Sequence, residues 1–152
     1  MTGLNNIIDG ICVKLREGFC QGEYAIYTEE VKQGLKNPCL TVQCVNPMSE
    51  QTLGNRYYKE SIFVINYFPK DEMAYKSEFN KVSDLLYELL EYIIVKDTDE
   101  ENVKEHIFRS YDMKVEISDK VLLFFVTYKY FVHRKVENEK MERLEQEVKN
   151  GN

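Results

Sequence analysis

The stretch from Val103 to His133 constrains the fold more than any other part of the chain. Between Val103 and Ile117 the residues alternate: Val103, Ile107, Tyr111, Met113, Val115 and Ile117 share one parity, while Lys104, His106, Ser110, Asp112, Lys114 and Glu116 take the other. Period-two alternation of this length marks a strand with one buried face. Val121 to His133 (VLLFFVTYKYFVH) is the densest run of aromatic and β-branched residues, the types that suit a pleated, half-buried surface. Ser118, Asp119 and Lys120 read as the tight turn joining the two strands. With Asp119 and Lys120 as loop residues, Ile117 faces Leu122, Val115 faces Phe124, Met113 faces Val126, Tyr111 faces Tyr128 and Ile107 faces Val132. Opposed residues share a sheet face, so this register gathers nearly all the large apolar side chains on one side. A slip of one residue would put Lys129 and His133 there instead. Only Arg109, opposite Tyr130, interrupts the apolar face. Lys120 suits a left-handed position poorly, so a slightly longer turn in the same register is the alternative.

The remaining segments supply helices and further strands. Leu4, Ile7, Ile8, Ile11, Leu15 and Phe19 recur at helical spacing, with Thr2 as the expected N-cap and Gly18 and Gly22 at the exit. Short strands are expected at Glu23–Thr28, Cys39–Val45 and Ser61–Phe68, the last apolar enough to be central. The segment 29–38 reads as a polar connector and 46–60 as a long loop. Asp71 to Ile93 carries the clearest helical stripe, through Tyr75, Phe79, Val82, Leu86, Leu89, Leu90 and Ile93, and Lys96–Asn102 reads as an acidic loop. The order α-β-β-β-α-β-β, with a mainly antiparallel sheet, two amphipathic helices and a long C-terminal β-ribbon, defines a single α+β layer-type domain over residues 1–135. Residues 136–152 are almost wholly charged, with only Met141, Leu144 and Val148 as an apolar stripe, and read as a solvated helix or frayed tail.

Composition closes off several functions. A net charge of -6 disfavours nucleic-acid and anionic-membrane partners, both of which attract basic patches. No apolar run reaches transmembrane length, and the start of the chain lacks signal-peptide features, so folding in a cytosol is expected. Cys12, Cys20, Cys39 and Cys44 form no CxxC pair and have no histidine at finger spacing; small core hydrophobes are the favoured reading. His106 and His133 are the only histidines, and the ribbon register sets them opposite each other on the outer face. Two ligands without converging carboxylates make no metal site, and the scattered glycines build no phosphate loop. Neither a catalytic constellation nor a cofactor is expected.

Interaction residues are easier to nominate. If both helices cover one sheet face, Phe108, Leu123, Phe125 and Phe131 lie on the other. Such a dense aromatic face either meets a partner or is covered by a loop or the C-terminal segment. Leu53, Asn55, Arg56, Tyr57 and Tyr58 sit in the 46–60 loop, where Arg and Tyr are the types enriched at interface hot spots. The structural alternative is a hairpin connection whose tyrosines tuck back on the sheet.

Four stretches carry a resemblance: Glu29-Glu-Val-Lys-Gln-Gly-Leu-Lys-Asn-Pro38, Leu53-Gly-Asn-Arg-Tyr57, Tyr67-Phe-Pro69 and Phe124-Phe-Val-Thr-Tyr128. Together, across roughly residues 4 to 134, they resemble the tail terminator family of Gram-positive phages and prophages. The resemblance implies a small α+β protomer without enzymatic activity or cofactor, assembling into a ring, commonly a hexamer. That ring caps the tail tube, ends its polymerisation and docks the head or neck, with tube, sheath and neck proteins as partners. It further implies assembly in the host cytoplasm, then a place at the tail–head junction of a contractile-tail or phage-tail-like bacteriocin particle. The rival readings are another head–tail connector, a cytosolic protein-binding module and, more remotely, a small enzyme with a pocket at His106 and His133.

Overall fold

In a computed structural model, residues 2–20, 22–29, 34–71, 73–99 and 102–134 are described. They form α1 (Leu4–Gly18), β1 (Ala25–Tyr27), β2 (Cys39–Gln51), β3 (Arg56–Phe68), α2 (Lys76–Leu89), β4 (Tyr92–Asp99), β5 (Asn102–Ser118) and β6 (Val121–His133). The strands make one sheet in the order β1-β2-β3-β6-β5-β4, antiparallel except where β1 runs parallel to β2. The α+β expectation therefore holds, with one strand more than the sequence pattern suggested. The charged segment 136–152 lies outside the described residues.

Both helices cover one face of the sheet. Ile7, Ile11 and Leu15 of α1 and Phe79, Val82 and Leu86 of α2 bury their stripes against Phe63, Ile65 and Tyr67 of β3 and alternate residues of β6. Two glycines set how close α1 comes. A Cβ at Gly10 would stand 2.6 Å from the Ile94 carbonyl oxygen of β4, and one at Gly18 would collide with the Leu89 side chain of α2. Helix α1 thus lies directly on the β4 backbone and against the end of α2. Its N-cap is Gly3 rather than Thr2, whose hydroxyl instead donates to the Asp97 carboxylate at 3.3 Å. Two phenols tie the layers. Tyr128 donates to the Leu90 carbonyl at 2.8 Å, and Tyr67 donates to the Glu78 carboxylate.

The ribbon turn follows the simpler expectation. Ser118 pairs with Val121, and Asp119 and Lys120 sit at φ 49° and 60°, a two-residue loop with both positions left-handed. Near the turn the register is as expected: Ile117 with Leu122, Val115 with Phe124, Met113 with Val126. Asp112 still pairs with Thr127 in that register, but Ser110 pairs with Tyr128, so Tyr111 is the extra residue of a bulge. The bulge inverts the parity of everything before it. Tyr111 and Ile107 are 67% and 73% exposed, and Arg109 pairs with Tyr92 of β4 rather than standing opposite Tyr130.

Three further boundaries move. The expected helix to Ile93 stops at Leu89, because the β-branched run Ile93-Ile94-Val95 enters β4, with Ile93 and Val95 fully buried. Within the expected acidic loop, Lys96 to Asp99 pair with Asn102 to Glu105. The expected 46–60 loop is a hairpin arm, in which β2 continues past a bulge at Val45 and pairs through Gln51 with Tyr57. Pro47 fits there because β1 covers β2 only from Cys39 to Thr41, so among the described residues the outer edge of β2 beyond that is unpaired in the sheet.

Candidate protein-interaction surface

The sheet face away from the helices carries the distinguishing surface. Along β6, Leu122, Phe124, Val126 and Tyr128 are buried on the helix side, while Leu123, Phe125, Lys129 and Phe131 point the other way. A cation lies over each neighbouring ring. Arg56 stands 3.9 Å from the centroid of Phe131, Lys129 3.0 Å from Tyr111, Lys114 5.2 Å from Phe125 and Arg109 5.8 Å from Tyr92. The sheet geometry explains the pattern, since cross-strand neighbours on one face are close enough for a long cationic side chain to reach a ring. Each such contact contributes about 0.5–1 kcal/mol when exposed, and the methylene stems shield the ring edges from water. The open face is therefore an aromatic surface with cations over its rings, two of them ion-paired: Lys114 with Glu116 at 3.2 Å and Arg109 with Glu91 at 3.9 Å.

One end of the sheet concentrates the residues nominated from the 46–60 segment. The turn between β2 and β3 closes with the Arg56 amide donating to the Leu53 carbonyl at 3.0 Å and the Thr52 amide to the Arg56 carbonyl at 2.9 Å. Gly54 supplies the left-handed position, at φ 60°, that this turn requires. Asn55 locks the turn to the end of β6. Its side-chain amide donates to the Arg134 carbonyl at 2.8 Å, and the Arg134 amide donates to the Asn55 carbonyl at 2.9 Å. The Arg134 guanidinium lies 4.4 Å from the Tyr57 centroid, and Tyr58 packs on Phe131 with centroids 5.4 Å apart. Leu53, at 83% exposure, tips the hairpin. Both tyrosines are half-buried strand residues, as in the tucked-back alternative, while Arg56 and Leu53 stay outside.

The nominated residues therefore divide. Leu53, Asn55, Arg56, Tyr57, Tyr58 and Phe131 meet at this end, with Tyr57 opposite Val132 on the helix side and Tyr58 opposite Phe131 on the open face, where Phe125 lies farther along. Phe108 does not join them. The Tyr111 bulge turns it to the helix side, where it stacks on Tyr130 with centroids 5.1 Å apart. Sequence reasoning missed Tyr111 and the roofing cations Lys114 and Lys129. Lys114 stands directly opposite Phe125 in the register expected beside the turn, whereas Tyr111 comes under Lys129 only because the bulge turns it outward.

Among the described residues the two histidines do not converge. The β5–β6 ladder ends at Ser110 and Tyr128, so His106 pairs with Val95 and His133 with Arg56, and the expected histidine pair does not form. Burial pushes the thiols of Cys12, Cys39 and Cys44 up, keeping them protonated core groups. Cys20 departs from the core reading and is exposed. Among the described residues no cluster of His, Cys, Asp and Glu could hold a metal ion, and no helix is long and apolar enough to cross a membrane.

Fold and surface together define a small α+β scaffold distinguished by its open sheet face. The chain belongs to the phage tail terminator protein family, whose model matches residues 6–140. That membership makes it a structural component of a phage tail, which interacts with other tail parts. No curated protein matches the chain.

Proposed function

We propose that the chain ends tail-tube polymerisation by closing on the tube end as a homo-oligomeric ring, a hexamer, and then offers the head or neck its docking surface. Assembly takes place in the host cytoplasm of a Gram-positive phage or prophage, and the ring stays at the tail–head junction of a contractile-tail or phage-tail-like particle. Residues 1–135 act as the ring-forming unit, and 136–152 as a separate charged extension.

The observation that supports this reading most is the presence of two unlike surfaces at opposite margins of the sheet. One is the β2–β3 hairpin end with Leu53, Arg56 and Tyr57; the other is the β4 edge with exposed Tyr92 and Ile94. Head-to-tail contacts around a rotation axis need two different complementary patches, which a single self-complementary patch cannot supply. An outer strand with a row of unpaired backbone groups is also a ready template for pairing with a neighbour.

The double variant Arg56→Ala/Tyr57→Ala tests the reading. It is expected to keep the circular dichroism and cooperative unfolding of the parent while failing to limit tube length when mixed with the tail-tube protein. A double variant that caps tubes as well as the parent would remove the hairpin end from the assembly contact.

A further inference from the structure

The start of α1 opens on a cleft of about 200 Å³ that the open-face surface does not include. Its walls include Gly3 and Leu4 at the helix start, Met48 of β2, Lys59 and Ser61 of β3, and Tyr130 of β6. Three observations give it a sign. The N-cap is a glycine with no side chain to receive the first-turn amides, and the first turn holds no acidic residue. Asn6 instead accepts a hydrogen bond from the Gly3 amide at 2.8 Å. The partial positive charge of the helix end is thus left for another acceptor. Ser61 is 1% exposed, yet its Oγ has no hydrogen-bond partner. The hydroxyl is near enough to Tyr130 to temper the rise that burial causes in that phenol's pKa, but the two oxygens do not meet hydrogen-bond geometry. A buried polar atom left alone costs about 1–3 kcal/mol, so an unpaired hydroxyl in a cleft wall calls for a ligand. Lys59 brings an ammonium that no ion pair engages among the described residues, whereas the Thr2 hydroxyl, also in the wall, donates to the Asp97 carboxylate at 3.3 Å.

We propose that this cleft receives one carboxylate side chain, from a glutamate or aspartate presented by another protein. The first-turn amides of α1, the Lys59 ammonium and the Ser61 hydroxyl are its donors. Size argues for a single side chain, since pockets for larger organic ligands start at about 300 Å³. The apolar flanks of Leu4 and Met48 suit the methylene stem of such a residue. The site does not depend on the stoichiometry of the chain on a tail.

Amide chemical shifts of the ¹⁵N-labelled full chain, at fixed ionic strength, test it with three probes: N-acetyl-glutamic acid amide, N-acetyl-glutamine amide and inorganic phosphate. The glutamic acid derivative is expected to give saturable shifts confined to residues 3–6, Lys59 and Ser61. Lys59→Met should weaken that binding about tenfold, in line with the loss of one charge-assisted hydrogen bond, and Ser61→Ala should weaken it less. Both variants should keep the dispersed spectrum of the parent. Equal binding of the glutamine derivative, tighter binding of phosphate, or no localised saturable shift in the parent would each overturn the proposal.

Discussion

Phe124 and Phe125 are neighbours on one strand with the same side chain and opposite surroundings. Phe124 is fully buried beneath the helices, with Tyr87 of α2 set edge-on at 5.1 Å, while Phe125 is half-buried on the open face with Lys114 above it. The two environments teach where stability ends and interaction begins. On the covered side, apolar area is removed from water once and for all by folding. On the open side, aliphatic stems and cations shield rings only in part, and a partner that displaces them gains apolar contact beside mixed charge, since Glu116 and Glu91 accompany Lys114 and Arg109.

The contrast predicts unequal costs for equal truncations. Phe124→Ala should lose about 3–5 kcal/mol, measured by urea unfolding, because it leaves a cavity in a packed interior. Gly10→Ala should cost about 1–3 kcal/mol, since the new methyl meets the Ile94 carbonyl and the helix has to lift from β4. Phe125→Ala should cost about 1 kcal/mol, mostly the lost ring and its cation contact. If Phe125→Ala proved as damaging as Phe124→Ala, the division into a stabilising and an interacting face would fail.

Between these falls a pH effect that belongs to the covered side alone. Burial pushes the Tyr128 phenol up from the ordinary tyrosine value, and its proton is held on the Leu90 carbonyl. In the unfolded chain the phenol titrates near about 10. The folded form therefore keeps a proton that the unfolded form gives up. The stability tied to this group is intact below about pH 10 and is lost as pH rises above it, by up to about 1.4 kcal/mol per pH unit. Tyr128→Phe should be less stable at neutral pH, having left the Leu90 carbonyl without its donor, yet lose less stability between pH 9 and 11, read as a shallower fall in unfolding midpoint. The smallest effect is on the roof itself. Lys129→Met should change stability by less than about 1 kcal/mol, with any change shrinking in high salt.

Much of the covered face was legible in the sequence, because burial writes a periodic pattern. The stripes of both helices, the alternation of β6 and the register beside the Asp119-Lys120 turn follow directly from apolar spacing. The open face was legible only in its composition. Tyr111 keeps the parity of an inward residue, and a bulge, which depends on contacts far along the chain, is what turns it outward and sends Phe108 inward. The hairpin arm from Asn46 to Glu60 was hidden because exposed polar residues alternate with one another and leave no hydrophobic period. Strand β4 was hidden for the opposite reason, its apolar residues continuing the stripe of α2 without a break. The cleft at α1 was invisible altogether, since Ser61 and Lys59 reach Gly3 only through the sheet.

The central claim, that the chain terminates tubes as a ring, is tested most directly by light-scattering mass together with tube length, for the chain alone and mixed with the tail-tube protein. A ring, free or on tube ends that thereupon stop growing, is the predicted result. A chain that stays monomeric, leaves tubes unbound and leaves their length unlimited would contradict it.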